Sequence, residues 1–453
     1  MFAALKNIWN IKELRNRLLF TIGVIVLVRV AALIPCPGVN WSALKDFFQQ
    51  MRSVAGESGG MLLGMVDIFS GGALENFALA TLGIMPYITA SIIMQLMVPV
   101  FPALEKIQRD GENGRQKINQ YTRYLTVLIC LIQGTMAAVA MVNPQNINLP
   151  APNAPLFVGN ASGFIFMTVV VLTATTMIFM WLGEQVTERG IGNGISIIIT
   201  IGIIARMPQA VMQLAQSTSF RQSTPGATTL VHLLLLIVLF VAVTAATLLL
   251  CQGYRRVPIQ MARKAVGNQV QNSTTYMPLK VNFAGVMPII FAGAIMMIPG
   301  VFFQWAGWTT MQNLFGYGKM AYMITEALLI LLFSYFWVAN QFNPIMISEN
   351  LKREGAYIPG IRPGNPTADF LDHSMTRITF AGSVFLMFLA ILPMILSQVL
   401  NVPMLISTFF GGTSLLIMVG VVLETMSQLE SHLTMRHYDG FLKSGRLKGR
   451  NGH

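Results

Sequence analysis

Residues 189–196 of this 453-residue chain, Arg189-Gly190-Ile191-Gly192-Asn193-Gly194-Ile195-Ser196, come nearest to a known piece of binding chemistry. Glycines at such spacing let backbone N–H groups approach a pyrophosphate, provided a strand leads in and a helix leads out. No strand signal precedes Arg189 and a long apolar run follows Ser196, so the glycines read instead as a tight turn. Other catalytic patterns fail too. The chain has no G-x-x-x-x-G-K-[ST] phosphate loop, no H-E-x-x-H and no histidine pair at metal spacing. Cys36, Cys130 and Cys251 lie far apart, each in or beside an apolar run, and read as packing residues. No metal or cofactor is expected.

The carboxylates point the same way. Glu326 and Glu424 fall toward the ends of apolar runs, and no Asp, Glu, Lys or His sits clearly at the centre of one. A charge at mid-bilayer costs about 2.5–3.5 kcal/mol on the insertion scale, and ion-coupled carriers retain one where ions or protons are handled. Its lack argues against a coupled pump and leaves uncoupled carriage open. An intramembrane enzyme ranks below both a channel and a carrier.

The elements that would hold these residues are membrane spans. The chain is 54% apolar and 11% charged, against about a quarter charged in soluble proteins. Ten spans are predicted, near 18–36, 78–100, 122–142, 163–183, 191–209, 229–251, 285–305, 322–343, 378–398 and 407–427. Residues 1–17 read as a basic amphipathic helix on the membrane surface. The first span, ending at Pro35-Cys36-Pro37-Gly38 without a small-residue cleavage site, reads as retained. Of the 30 Lys and Arg residues, 24 fall on the face that bears both termini in this arrangement, 5 on the other, and Arg29 within span one. The positive-inside rule then places both termini in the cytosol.

Residues 62–76 are too short to span: fifteen helical residues cover about 22 Å against a core of about 30 Å. The two halves also echo each other. Gly83-Ile84-Met85-Pro86-Tyr87-Ile88 opens span two and Gly285-Val286-Met287-Pro288-Ile289-Ile290 opens span seven, the equivalent helices if each half holds five spans. Interrupted segments at matching places in two halves point to the working site of a repeat-built membrane protein. The domains expected are the surface helix 1–17, a first half 18–209, an external hinge 210–228, a second half 229–427 and a basic tail 428–453.

Six stretches carry a resemblance to a known family: "DIFSGGALENFALATLGIMPYITASIIMQLM", "GENGRQKINQYTRY", "WLGEQVTERGIGNGISIII", "LKVNFAGVMPIIFA", "REGAYIPGIRPG" and "FGGTSLLI". In this order, from about Leu14 to Lys448, the chain resembles the bacterial SecY family of protein-conducting channels. The resemblance implies an all-α fold of ten transmembrane helices in two pseudo-symmetric halves, with 62–76 as a short re-entrant plug helix. Asp67, Ile68, Phe69, Ser70, Gly71, Gly72, Leu74 and Glu75 would form the plug, with both glycines mid-helix, where each costs about 1 kcal/mol relative to alanine. A pore ring would comprise Ile84, Ile88, Ile195, Ile199, Ile290 and Ile417. Stiff branched side chains in a narrow ring exclude water and ions by dewetting. A lateral gate would draw on Thr89, Gln133 and Phe291, although Gly293 and Ala294 stand where many relatives carry small hydroxyl residues. Docking on a motor or ribosome would fall to Arg255, Arg256 and Arg362 on basic loops.

The implied function is passage of unfolded preproteins across the bacterial inner membrane, with sideways release of transmembrane segments. The implied partners are SecE-like and SecG-like membrane subunits, a SecA-type motor ATPase, the ribosome, preprotein signal sequences and membrane lipid. The alternative is a small-solute secondary transporter.

Overall fold

The structure, a computed structural model, describes residues 11–54, 70–144, 154–217, 230–261, 265–266, 269–270, 274–305, 308–316, 318–399, 406–407 and 412–444. Among these residues eight helices are long and apolar enough to cross a membrane, or nine if one bent pair counts as a single span. The chain separates into two compact units, residues 1–207 with 421–453, and residues 208–420.

In the first unit, α1 (Lys12–Leu33) is followed by α2 (Trp41–Val54), α3 (Met85–Val100), α4 (Pro102–Arg109), α5 (Glu112–Val142) and α6 (Ala161–Arg189). Most of α7 (Gly194–Ser217) completes it. Residues 12–17 run straight into α1, so this part of the surface helix expected over 1–17 is continuous with the first span, and residues 1–10 lie outside the described ones. The helix α2 was not expected. Asn40 opens it, its side chain accepting from Ser42 Oγ and the Ala43 N–H. Ala43, Leu44 and Phe47 on one face are buried with Cys36, Phe77, Leu156, Phe164 and Leu172. Helices α3 and α4 meet at 104°, between Pro99 and Pro102. At one end of α5 and α6, Arg123 makes a two-pronged bond to Glu184, at 3.2 and 2.7 Å.

The second unit holds α8 (Leu230–Gln252), β1 (Tyr254–Met261), β2 (Ala265–Val266), β3 (Gln269–Val270) and β4 (Thr274–Lys280). Then come α9 (Met287–Trp305), α10 (Thr309–Leu314), α11 (Met320–Gln341), α12 (Pro344–Arg353), β5 (Ala356–Tyr357) and α13 (Asn365–Val399). Its core joins Val243 and Leu250 of α8, Ile289 and Ala292 of α9, Ile330 of α11 and Leu386 and Leu389 of α13. Glu326 lies on the buried stripe of α11, 5% exposed, so this span is not free of acid inside. The last helix, α14 (Gly412–Ser444), begins in this unit and ends in the first. It carries the expected tail in helical form as far as Ser444; the remainder lies outside the described residues.

Two departures from the expected layout stand out. The loop after α8 is an antiparallel ribbon, β1 on β4, with β5 added at its end. In the expected hinge, residues 210–217 continue α7 and 218–228 lie outside the described residues.

Candidate functional site

The echo between the halves has a structural basis in each unit separately. Both α3 and α9 begin at Met-Pro, with the proline in the first turn, where its missing N–H is no loss. Pro86 therefore starts its helix rather than interrupting it, and residues 78–84, expected in the span, form turns. The glycine two residues before each methionine is left-handed, φ 55° at Gly83 and 65° at Gly285. The same hydrogen bond closes both motifs: Ile88 N–H to Ile84 O at 3.1 Å, and Ile290 N–H to Val286 O at 3.3 Å. Ile84 and Ile88 thus lie one turn apart, 4% and 9% exposed. Ile290 is half-buried, and Ile417 on α14 is 5% exposed.

Ile195 and Ile199 are positioned by the glycine turn at 190–194. Asn193 caps α7, its side-chain oxygen accepting from the N–H groups of Ile195 and Ser196. The Gly192 N–H donates to Gln428 Oε1 at 2.8 Å, and Ile191 N–H to Thr21 Oγ1 at 3.3 Å. Gly194 abuts the carbonyl of Gly183 so closely that a Cβ has no room. The turn is thus a junction of α1, α6, α7 and α14. Ile199 is half-buried, as is Ile195, whose Cγ1 lies against Gly183. The first unit carries four ring candidates and the second carries Ile290 and Ile417.

The expected plug helix needs correction. Asp67, Ile68 and Phe69 lie outside the described residues; Ser70 is helical, and 71–77 form a turn rather than helix. Gly71 and Gly72 are therefore not mid-helix. Their φ angles of 65° and 92° are ones that side-chain-bearing residues rarely adopt. Leu74 and Glu75 are half-buried in this turn, and Ala73, Phe77 and Ala78 are fully buried. Two arginines meet it. Arg29 Nη2 of α1 donates to Gly71 O at 3.0 Å, and Arg206 Nη1 of α7 pairs with Glu75 Oε2 at 3.0 Å. Arg206 counts in the sequence among the five basic residues on the face opposite the termini, yet it is 6% exposed.

The gate candidates divide between the units. Thr89 on α3 and Gln133 on α5 are half-buried, and the Thr89 hydroxyl donates to Met85 O of its own helix at 3.0 Å. Phe291 on α9 is 2% exposed, stacked on Phe333 at 5.3 Å and tilted against Trp337 at 5.7 Å. Its setting is an aromatic cluster with α11, which the sequence did not reveal.

The docking candidates lie on one sheet and in the loop that follows its last strand. Arg255 and Arg256 lie exposed on β1, opposite Leu279 and Pro278 of β4. Val257, Ile259 and Leu279 are buried, which fixes the register. The guanidinium of Arg256 lies 5.1 Å from the Tyr254 ring centre and donates to its hydroxyl at 2.8 Å. Arg362 stands exposed in the loop after β5, between left-handed Gly360 and Gly364. Since Gln260 and Met261 of β1 pair with Tyr357 and Ala356 of β5, the two basic segments are joined through backbone pairing.

Comparisons with known proteins agree with this architecture. The SecY family profile matches residues 78–426. Protein translocase subunit SecY of Chlamydia muridarum is 40% identical over 460 residues, covering 99% of this chain and all of the relative. Among solved structures, a protein-conducting channel superposes with a TM-score of 0.62 at 18% identity, covering 92% of both chains. A SecY structure concerned with how the plug domain stabilises the closed state gives 0.58 at 18% identity, again covering 92% of both. The channel in the canine ribosome-channel complex from the endoplasmic reticulum gives 0.59 at 17% identity, with the same coverage. These likenesses establish the fold, and the family match with near-complete coverage of a 40% identical relative establishes the kinship. The chain belongs to the SecY family.

Proposed function

We propose that this chain is the pore-forming subunit of a bacterial Sec translocon, passing unfolded preproteins across the inner membrane and releasing transmembrane segments into the bilayer. The observation that carries the reading is end-to-end similarity to a protein translocase subunit SecY. The matching local geometry at the starts of α3 and α9 supports it, because it sets Ile88 and Ile290 at the same place in their motifs.

In this reading Ile84, Ile88, Ile195, Ile199, Ile290 and Ile417 form an apolar waist that holds back ions and closes around an extended chain. The segment up to Glu75 is the plug. Thr89, Gln133 and Phe291 belong to the seam through which apolar segments leave, and modest interhelical polar contacts, often about 0.6 kcal/mol, suit a seam that parts. Arg255, Arg256 and Arg362 receive a SecA-type motor or the ribosome. The ribosome-bound canine channel shows that a protein of this fold meets such a partner. SecE-like and SecG-like subunits complete the assembly, and both termini lie in the cytosol.

The test is conductance. The chain, purified with its membrane subunits and placed in planar bilayers, should be closed to ions at rest. Replacing Ile84, Ile88, Ile195 and Ile199 together with serine should open a standing leak, and unchanged conductance refutes the waist. Substrate-dependent uptake of a small solute by the chain alone would favour a carrier instead.

A further inference from the structure

Resting on the plug reading, we infer that Arg29, Arg206 and Glu75 form a clamp on the Gly71-Gly72 turn that fastens the trailing end of the plug segment to the first unit and sets how readily the channel opens. A guanidinium in an apolar span is costly to keep unless it is engaged. Arg29 lies in α1 and spends a donor on the backbone carbonyl of Gly71 at 3.0 Å. Arg206 lies in α7, 6% exposed, with Nη1 at 3.0 Å from Glu75 Oε2.

The glycines are what permit the approach. A Cβ on Gly71 would strike Arg29 Nη1 and stand 2.9 Å from Gly202 Cα of α7. A Cβ on Gly72 would stand 2.9 Å from both Cζ and Nε of Arg206. Both positions also hold left-handed backbone. Beyond them the chain is knotted tightly: Leu74 N–H donates to Ser70 Oγ, Phe77 N–H to Leu74 O and Ala78 N–H to Ala73 O. Phe77 is itself left-handed at φ 39°, and this buried knot is a firm anchor. Displacement of residues 70–75 therefore requires breaking the clamp. Arg206 stands seven residues, about two helical turns, beyond Ile199 on the same helix, so the clamp ties the plug to an element of the proposed waist.

The experiment uses the full chain with its copurified subunits in sealed vesicles, reading iodide efflux at rest. Glu75→Gln keeps shape and removes the charge; it should raise efflux about tenfold, the loss expected for one charge-assisted bond. Gly72→Ala, which leaves every charge in place, should do the same. The double exchange Glu75→Arg with Arg206→Glu should return efflux toward the wild-type value. Wild-type efflux from both Glu75→Gln and Gly72→Ala, in vesicles where the serine-substituted waist leaks, overturns the clamp and leaves the channel standing. If the waist variant is tight as well, the channel reading falls and the clamp with it. Glu75→Gln is isosteric at a half-buried side chain and Gly72→Ala adds a single methyl, so these two variants together decide the matter even if the double exchange fails to assemble.

Discussion

Arg362 stands on a turn shaped by two Pro-Gly pairs, 359–360 and 363–364, and pinned from behind by the Thr367 hydroxyl, which donates to the Arg362 carbonyl at 2.9 Å. Its side chain is exposed, so a charge reversal there leaves the fold intact. Arg362→Glu should lower motor-driven export of a preprotein into vesicles by about tenfold, while the variant itself integrates normally; equal export would remove the residue from the docking surface. That residue was legible because turn-forming prolines and glycines advertise an exposed tip. Arg206 was not. Its partner Glu75 lies 131 residues away, and a pair so distant is made by the tertiary fold alone. Counted by position in the chain, it had the address of an external charge; by burial, it belongs to the interior.

Among the elements, long apolar runs announced themselves and short irregular ones did not. Every run expected to span contains a helix, because eighteen or more apolar residues admit little else. The β1–β4 ribbon escaped notice because Pro258 and Pro278 sit within its strands, although the burial of Val257 and Ile259 follows the period of two. The helix α2 escaped because its apolar face is too short to resemble a span, although Asn40 and the spacing of Leu44 and Phe47 signal it. The second part of the expected plug is helix by the resemblance, whereas the paired glycines favour the turn that forms. Helix contacts also give a stability forecast. Gly194→Val would drive a side chain into the Gly183 carbonyl and to within 2.7 Å of Val186 Cβ, whereas a Cβ at Gly163 on α6 meets open space. The first should cost about 1–3 kcal/mol and lower the unfolding midpoint in detergent; Gly163→Ala should not.

For the molecule as a whole, charge was the most informative quantity. The net charge of +12 is not spread along the chain, since 24 of 30 basic residues fall on one face of the expected ten-span topology. Single cysteines placed at residue 5 and at residue 450 should therefore both react with an impermeant maleimide only from the cytosolic side of inverted vesicles, and labelling of one from the opposite side would break the span count. The division into two compact units was foreshadowed by the Met-Pro echo, but the return of α14 to the first unit was not. There Gln428 accepts from the Gly192 N–H across 236 residues of chain.

The joining of β1 to β5 has a mechanical corollary. Basic segments separated by about a hundred residues share a strip of main-chain hydrogen bonds, so a load applied at one tip is borne by both. A motor pressing on Arg362 would strain the Arg255-Arg256 strand in the same stroke, and through it the end of α8. Under such a load the two segments would behave as one lever.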